Sequence, residues 1–312
     1  MKCTVCKENA FIKLVRHNSA LCETHFREHV LRQVTRTIRR YQMFGRDSRV
    51  MVGVSGGKDS MGAWKILSDL NCHVIAVHIN NGFGDYSRES EKRVREFADS
   101  HQLPVYVYTF EKLMGCGFES ASQISRKPAC SLCGTIKRYF LNRLALDHGC
   151  DAVATGHNLD DENAVLLSNV LQWYIGYMYR QSPALPGEDG MAARVKPLVM
   201  LTDREMKKFV EMHGIAVAAG ACPHSKGATS PVYKETMDSL AEQMPGVKAA
   251  FYFGFLRTFK EKLPLPGHKA SDADAVNRCP ECGYKTIKPD KCFICDLKEK
   301  IAAEKAAGNI QP

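Results

Sequence analysis

The sequence predicts a parallel α/β domain flanked at each end by a small metal-stapled module. Three observations carry this: short apolar runs alternating with amphipathic stretches in the middle of the chain, a Cys/Cys plus Cys/His set at its start, and two Cys-x-x-Cys pairs at its end. The 312 residues suffice for about two domains. A hydrophobic content of 45% with 25% charged residues excludes a disordered or fibrous chain. Lys plus Arg is 43 against 34 Asp plus Glu, a formal charge of +9 that favours polyanionic partners. No run of about 18 apolar residues offers a membrane span, and Met1-Lys2-Cys3 opens no apolar leader. A cytoplasmic protein is expected. Reducing compartments keep thiols free, so the 13 cysteines are read as metal ligands or catalytic groups before disulfides.

Residues 1–28 form the first expected module. Cys3, Cys6, Cys22 and His25 make two ligand pairs suited to tetrahedral zinc, with His29 as an alternative to His25. The main domain is expected over 29–266. It opens on a helix across 26–44, with Val30, Leu31, Val34, Ile38 and Tyr41 on one face and Arg32, Arg36, Arg39 and Arg40 opposite. That arginine face is either a phosphate contact or a solvated surface. Apolar runs at 50–54, 74–79, 105–108 and 152–154 alternate with amphipathic segments starting near Lys58, Ser87, Gly134 and Asp160, the pattern of right-handed βαβ units. Ligands in such sheets sit beyond the carboxyl ends of the strands. Pro264, Pro266, Gly267 and the polar stretch from Lys269 to Asp274 read as a linker. Over 267–312, Cys279, Cys282, Cys292 and Cys295 make a zinc ribbon with Gly283 in a knuckle turn, followed by a short helix from Asp296 to Ala307.

The first strand runs into Gly53-Val54-Ser55-Gly56-Gly57-Lys58-Asp59-Ser60, where small residues and a helix start form an anion cradle. It is not a Walker A loop, which needs Gly at Val52 and Ser or Thr at Asp59. Cys130-Ser131-Leu132-Cys133-Gly134 precedes a helix carrying Lys137, Arg138 and Arg143, a setting expected to lower a thiol pKa. Cys222-Pro223 adds a third thiol. Three cysteines suit a 4Fe–4S cluster with one iron open, although Cys116 or His224 could close it. Cys72, Cys116 and Cys150 are otherwise small core residues.

The Ser-Gly-Gly-Lys-Asp-Ser string resembles the PP-loop of the N-type ATP pyrophosphatases. The resemblance implies an adenine nucleotide alpha-hydrolase-like fold in which Gly53, Ser55, Gly56, Gly57, Lys58, Asp59 and Ser60 hold the phosphates of ATP. It also places His78 and Ile79 against the adenine, and the Thr155-Gly156-His157-Asn158-Leu159-Asp160-Asp161-Glu162 string close to the nucleotide. The paired acids at that helix start suit Mg2+ or the orientation of a base, against a plainer role in capping. With the two zinc sets, Cys130-x-x-Cys133 and Cys222-Pro223, the whole chain resembles the TtcA/TtuA family of tRNA thiolases, and the TtuA branch more than TtcA, which thiolates a cytidine and lacks such fingers.

That resemblance implies ATP-dependent adenylation of a tRNA uridine C2 oxygen, then sulfur transfer through a [4Fe–4S] cluster on Cys130, Cys133 and Cys222. Cys130, Cys222, Lys137, Asp161 and Asp59 become the catalytic candidates, Arg194-Val195-Lys196-Pro197 a matching segment. ATP, Mg2+ and two Zn2+ are the other implied cofactors. A ubiquitin-like sulfur carrier ending in a thiocarboxylate and a homodimeric state are implied as well. A Cys persulfide route on the same thiols, a PP-loop amide-forming ligase and a non-catalytic RNA-binding zinc protein are the rivals. Whether the target is the T-loop or the wobble uridine is not written in any residue.

Overall fold

The computed structural model describes residues 1–310 apart from Asp189, Ala221, Lys226, Ala228 and 263–276. The expected linker at Pro264, Pro266, Gly267 and Lys269 to Asp274 lies outside the described residues. The first module is a hairpin of β1 (Ile12–Leu14) and β2 (Ser19–Leu21), and Cys22 then caps α1 (Glu23–Arg40). As its periodicity predicts, α1 buries Val30 and Val34 while Arg32, Arg36, Arg39 and Arg40 stand exposed.

A six-stranded sheet follows, in the order β5-β4-β3-β6-β8-β7. Its members are β3 (Arg49–Gly53), β4 (His73–Asn80), β5 (Val105–Thr109), β6 (Ala152–Ala154), β7 (Ala184–Leu185) and β8 (Ala193–Val195). All pairings are parallel except the edge pair β7·β8. β3 leads outward to β4 and β5 on one side and is flanked by β6 and β8 on the other. The order therefore reverses between β3 and β6, the place where an open α/β sheet opens its ligand crevice.

Strand alternation sends Val50, Val52 and Ala76 to one face and Met51, Ile75 and Val77 to the other. The first face packs on Trp64 and Ile66 of α2 (Lys58–Asp69), Phe209 of α9 (Asp203–Met212) and Ile12 and Leu14 of the N-terminal module. The second packs on Leu132 and Ile136 of α6 (Ala129–Asp147), on Phe118 of α5 (Phe118–Ser125) and on Cys279, Cys292 and Ile294 of the C-terminal module. Both modules thus extend the central core. Between the sheet strands lie α3 (Gly84–His101) and the short α4 (Phe110–Met114). α7 (Leu159–Leu171), α8 (Ile175–Arg180), α10 (Ser230–Gln243) and α11 (Val247–Lys262) form a helical layer that sequence periodicity had not resolved beyond α7. The C-terminal ribbon is β9 (Asn277–Arg278) with β10 (Lys285–Thr286), closed by α12 (Phe293–Ala306).

Several expected helix starts shift: the helix expected across 26–44 is Glu23–Arg40, and the one expected from Asp296 begins at Phe293. The segment placed near Ser87 begins at Gly84, and the one placed near Gly134 begins at Ala129 behind Pro128, so Cys130 and Cys133 lie within α6 rather than before it. Proline is well suited to open a helix, and it outweighs the glycine that suggested a later start.

His29 is not a zinc ligand. Its Nε2 lies 3.3 Å from Oε1 of buried Glu205, whose other oxygen accepts from Arg16 at 3.0 Å and from the Thr202 amide at 2.8 Å. This latch joins the first module to α9. His17 completes a three-ligand group with His29 and Glu205, but the Arg16 guanidinium already occupies the carboxylate. Burial works to raise the Glu205 pKa, yet His29, Arg16 and Thr202 hold it down at about 2. A depressed carboxyl pKa contributes stability above the ordinary value of 4.5, and that contribution fades as pH falls towards about 2. Glu205→Ala strands the Arg16 guanidinium and leaves the buried His29 ring without its carboxylate, and is expected to cost ~3–5 kcal/mol at neutral pH in denaturant titration. A change within the range of an ordinary surface substitution would contradict the latch.

Candidate functional site

The carboxyl ends of β3 and β6 carry two loops that lock together. After Gly53, the turn is tied by Ser60, whose Oγ accepts from the Ser55 amide at 3.0 Å and donates to the Gly57 carbonyl at 3.0 Å. Gly56 has φ +80, and a Cβ there would meet the Ser90 carbonyl oxygen of α3 at 2.8 Å. Gly156 permits the other approach: its Cβ would sit 2.6 Å from the Ser60 amide and 2.7 Å from the Asp59 carbonyl carbon. Gly57 caps α2, so free amides and the positive helix end face the same crevice.

The charges at this crevice alternate. Lys58 Nζ lies 2.7 Å from Asp59 and 2.5 Å from Asp203; the other Asp59 oxygen accepts from Asn158 Nδ2 at 3.0 Å. Asn158 also caps α7, accepting from the amides of Asp160 and Asp161, while Asp161 closes the capping box and takes Lys234 of α10 at 2.5 Å. Burial raises the Asp59 pKa, with Lys58 opposing and Asp161 adding to the rise. The capping reading of these acids holds alongside the functional one: Asp161 caps and still faces the charged crevice, whereas Asp160 is turned to Lys248 and to the Asp203 amide. The pairing of two acids for one cation therefore fails for Asp160. Glu162 is buried against Lys196, 2.7 Å away, and the Tyr252 hydroxyl.

His78 and Ile79 do not form one wall. His78 packs its Nδ1 on the Val54 carbonyl at 2.9 Å and leaves a buried Nε2 without a partner, while Ile79 points into the opposite layer. His157 is exposed beside Thr155, with Nδ1 2.7 Å from its hydroxyl.

The third cysteine set gathers at one edge of the same crevice. Cys130 donates to the His224 carbonyl at 2.9 Å, and Cys133 lies 4.0 Å from Asn81 Oδ1, just past β4. His224 follows Cys222 by two residues, so the Cys130 contact brings the Cys222 loop against the start of α6. The three do not make a group as tight as the two terminal sets, whose ligand atoms lie within 4.8 Å of one another. Contrary to the expectation for a helix start, burial pushes the Cys133 thiol up, and Lys137 one turn further along α6 opposes the rise. Neither candidate fourth ligand closes the space: Cys116 is buried in the core, and the His224 ring packs edge-on against Phe83 and tilted against Phe118.

At the chain ends, four ligand atoms in each set lie within 4.8 Å of one another. Cys6 and Cys22 are 3.7 Å apart, Cys22 and His25 Nδ1 3.2 Å, Cys282 and Cys292 3.7 Å. Tetrahedral zinc with Zn–S near 2.3 Å asks for separations of about 3.3 to 3.8 Å, so both sets fit it. Gly283 has φ +71, as the knuckle turn requires.

Sequence reading missed Asp203, Lys234 and Lys248. Asp203 had a local signal, the Thr202-Asp203-Arg204-Glu205 capping box. The two lysines had none, because they reach the crevice only through the packing of α10 and α11 on α7.

Comparison with known proteins settles the family. The PP-loop domain family matches residues 26–219, and the N-terminal LIM domain of 2-thiouridine synthetase TtuA matches residues 2–27. The tRNA-5-methyluridine(54) 2-sulfurtransferase of Thermotoga maritima is 36% identical over 98% of both chains. The chain belongs to the TtcA/TtuA family of tRNA thiolases. Within that family, the Thermus thermophilus tRNA-5-methyluridine(54) 2-sulfurtransferase is 38% identical over 96% of this chain and 92% of its own. The U34-tRNA thiolase NcsA from Methanococcus maripaludis, solved with its [4Fe–4S] cluster, superposes with a TM-score of 0.78 at 25% identity, covering 91% of this chain and 96% of its own. The expected fold, a PP-loop α/β domain with cysteine sets at both ends, is the fold of a thiolase, and the enzyme class is a sulfurtransferase.

Proposed function

We propose that this chain replaces the C2 oxygen of a tRNA uridine with sulfur, at the 5-methyluridine of position 54. The observation that supports the reading is that the PP-loop follows β3 while Cys133 lies 4.0 Å from Asn81, just past the neighbouring strand β4, so the thiols and the nucleotide loop belong to the same end of the sheet. Relatives named for position 54 share 36 to 38% identity across nearly the whole chain, against 25% for the U34 thiolase, which favours the T-loop target.

The C2 carbonyl oxygen is a poor leaving group, and adenylation lets it depart as part of AMP. Ser55, Gly56, Gly57, Lys58 and Ser60 would hold the departing pyrophosphate, with Lys58 and Lys137 neutralising developing charge. Asp59 and Asp161 are the carboxylates placed to take Mg2+. Cys130, Cys133 and Cys222 would hold a [4Fe–4S] cluster; three protein thiolates leave one iron open, and the cluster supplies a site for the incoming sulfur. The solved neighbour's cluster favours this over a persulfide on Cys130 or Cys222. A ubiquitin-like thiocarboxylate as sulfur donor, a homodimer, two zinc ions and a cytoplasmic setting complete the proposal. No helix among the described residues is long and apolar enough to cross a membrane.

The test is anaerobic incubation of the reconstituted enzyme with a tRNA, ATP and sulfide, followed by nucleoside analysis. A 2-thio derivative at position 54, lost when that uridine is replaced, is expected. Thiolation at position 34 or at a cytidine, or none, would contradict the assignment.

A further inference from the structure

Lys234 lies outside every sequence motif of the chain, on the helix that follows the Cys222 loop. Its ammonium is 2.5 Å from Asp161 and about three-quarters buried, and its electrostatic neighbours are Asp161, Asp203 and Asp59. Burial opposes its charge, but these carboxylates more than offset that and keep it protonated. The loop before it is anchored to the same place: the Ala218 amide donates to the Gly56 carbonyl at 2.9 Å. The chain therefore touches the nucleotide loop, passes through Cys222, and returns through α10 to put a lysine on Asp161.

Two lysines and three carboxylates alternate here: Lys58 with Asp59 and Asp203, Lys234 with Asp161. ATP arrives as a divalent-cation complex that is still net negative. Carboxylates that turn to the cation release both ammonium groups at once, in a crevice already walled by the PP-loop amides. An isolated, desolvated Lys–Asp pair with no such use is weak evidence of stabilisation. We infer that Lys234 is a second phosphate-binding cation of the nucleotide site, held on Asp161 until ATP and its cation separate the pair. The assignment rests on the nucleotide reading above and adds that the arm after the third cluster cysteine forms part of the ATP site.

The test compares Lys234→Met and Lys234→Arg with wild type by calorimetric titration of Mg-ATP and of adenosine, with zinc content and circular dichroism as checks on folding. Removal of a charge-assisted hydrogen bond to phosphate at a desolvated site predicts ATP binding about 10- to 100-fold weaker in K234M. Adenosine binding is expected to stay within about twofold, and K234R to recover most of the loss. K234M that binds ATP like wild type overturns the assignment alone. Equal losses of ATP and adenosine, or no recovery in K234R, also overturn it, since a structural defect does not distinguish phosphate. A wild-type chain that binds no ATP overturns the nucleotide reading and this assignment with it.

Discussion

Cys222→Ala is expected to remove iron and acid-labile sulfide from the protein and to lower tRNA thiolation by at least about 100-fold, since partners of metal ligands alone cost 10- to 100-fold. The reason is geometric. Cys130 and Cys133 sit one turn apart on α6, while Cys222 comes from a separate loop that touches Cys130 through the His224 carbonyl, so it supplies the thiol that α6 itself does not. Removal leaves two thiols on one helix face, too few to retain a cluster. Both terminal Cys/His sets, the proposed zinc sites, draw on other elements, and the nucleotide crevice is tied by Ser60, Asn158 and Asp59. The variant should therefore keep its zinc and its ATP affinity. Iron quantitation, zinc quantitation and ATP titration on one anaerobic preparation check this. Retained iron in C222A would show that other ligands hold the cluster, and lost zinc would show that the variant is misfolded.

The second large effect is expected from Gly156→Ala, the addition of a single methyl group. That carbon would lie 2.6 to 2.8 Å from the backbone at Asp59 and Ser60, which no rotamer change relieves. Either β6 or the PP-loop must move. Overpacking of this kind costs about 1–3 kcal/mol, and here the displaced atoms are the phosphate cradle itself. ATP affinity is expected to fall by at least about tenfold, one power of ten for each 1.4 kcal/mol, together with a lowered melting temperature. Gly149→Ala, a glycine with φ +63 and open space around it, is a control for general backbone strain and should leave ATP affinity intact. Equal ATP affinity in G156A and wild type would contradict the close packing of the two loops.

Motif-bearing segments were legible because their chemistry is local. The Ser55 to Ser60 string, the two zinc sets and Asn158 to Asp161 each declare themselves within a few residues, and β3, β4, β5 and β6 follow from apolar runs. Zinc ligation and anion cradling both impose short spacings that a sequence displays directly. Lys234 and Lys248 were not legible, because nothing near them marks a crevice that forms only when α7, α9, α10 and α11 assemble, and the capping box around Asp203 marks a helix start without pointing to that crevice. The Cys133 thiol shows the same limit from the other side: a helix start and nearby cations argue for a lowered pKa, yet Leu132, Ile136 and Phe83 bury the neighbourhood and desolvation prevails. His29 failed for a similar reason, its partner being Glu205, distant in sequence. Local pattern named most of the reacting groups; tertiary packing decided their charges and partners.

The most direct test of the account is the ratio of AMP formed to 2-thiouridine formed, measured on the reconstituted enzyme with tRNA, Mg-ATP and sulfide under anaerobic conditions. Adenylation of the base followed by sulfur transfer predicts equal amounts of the two, both absent without tRNA. Sulfur insertion without AMP, or ADP in its place, would contradict the central claim.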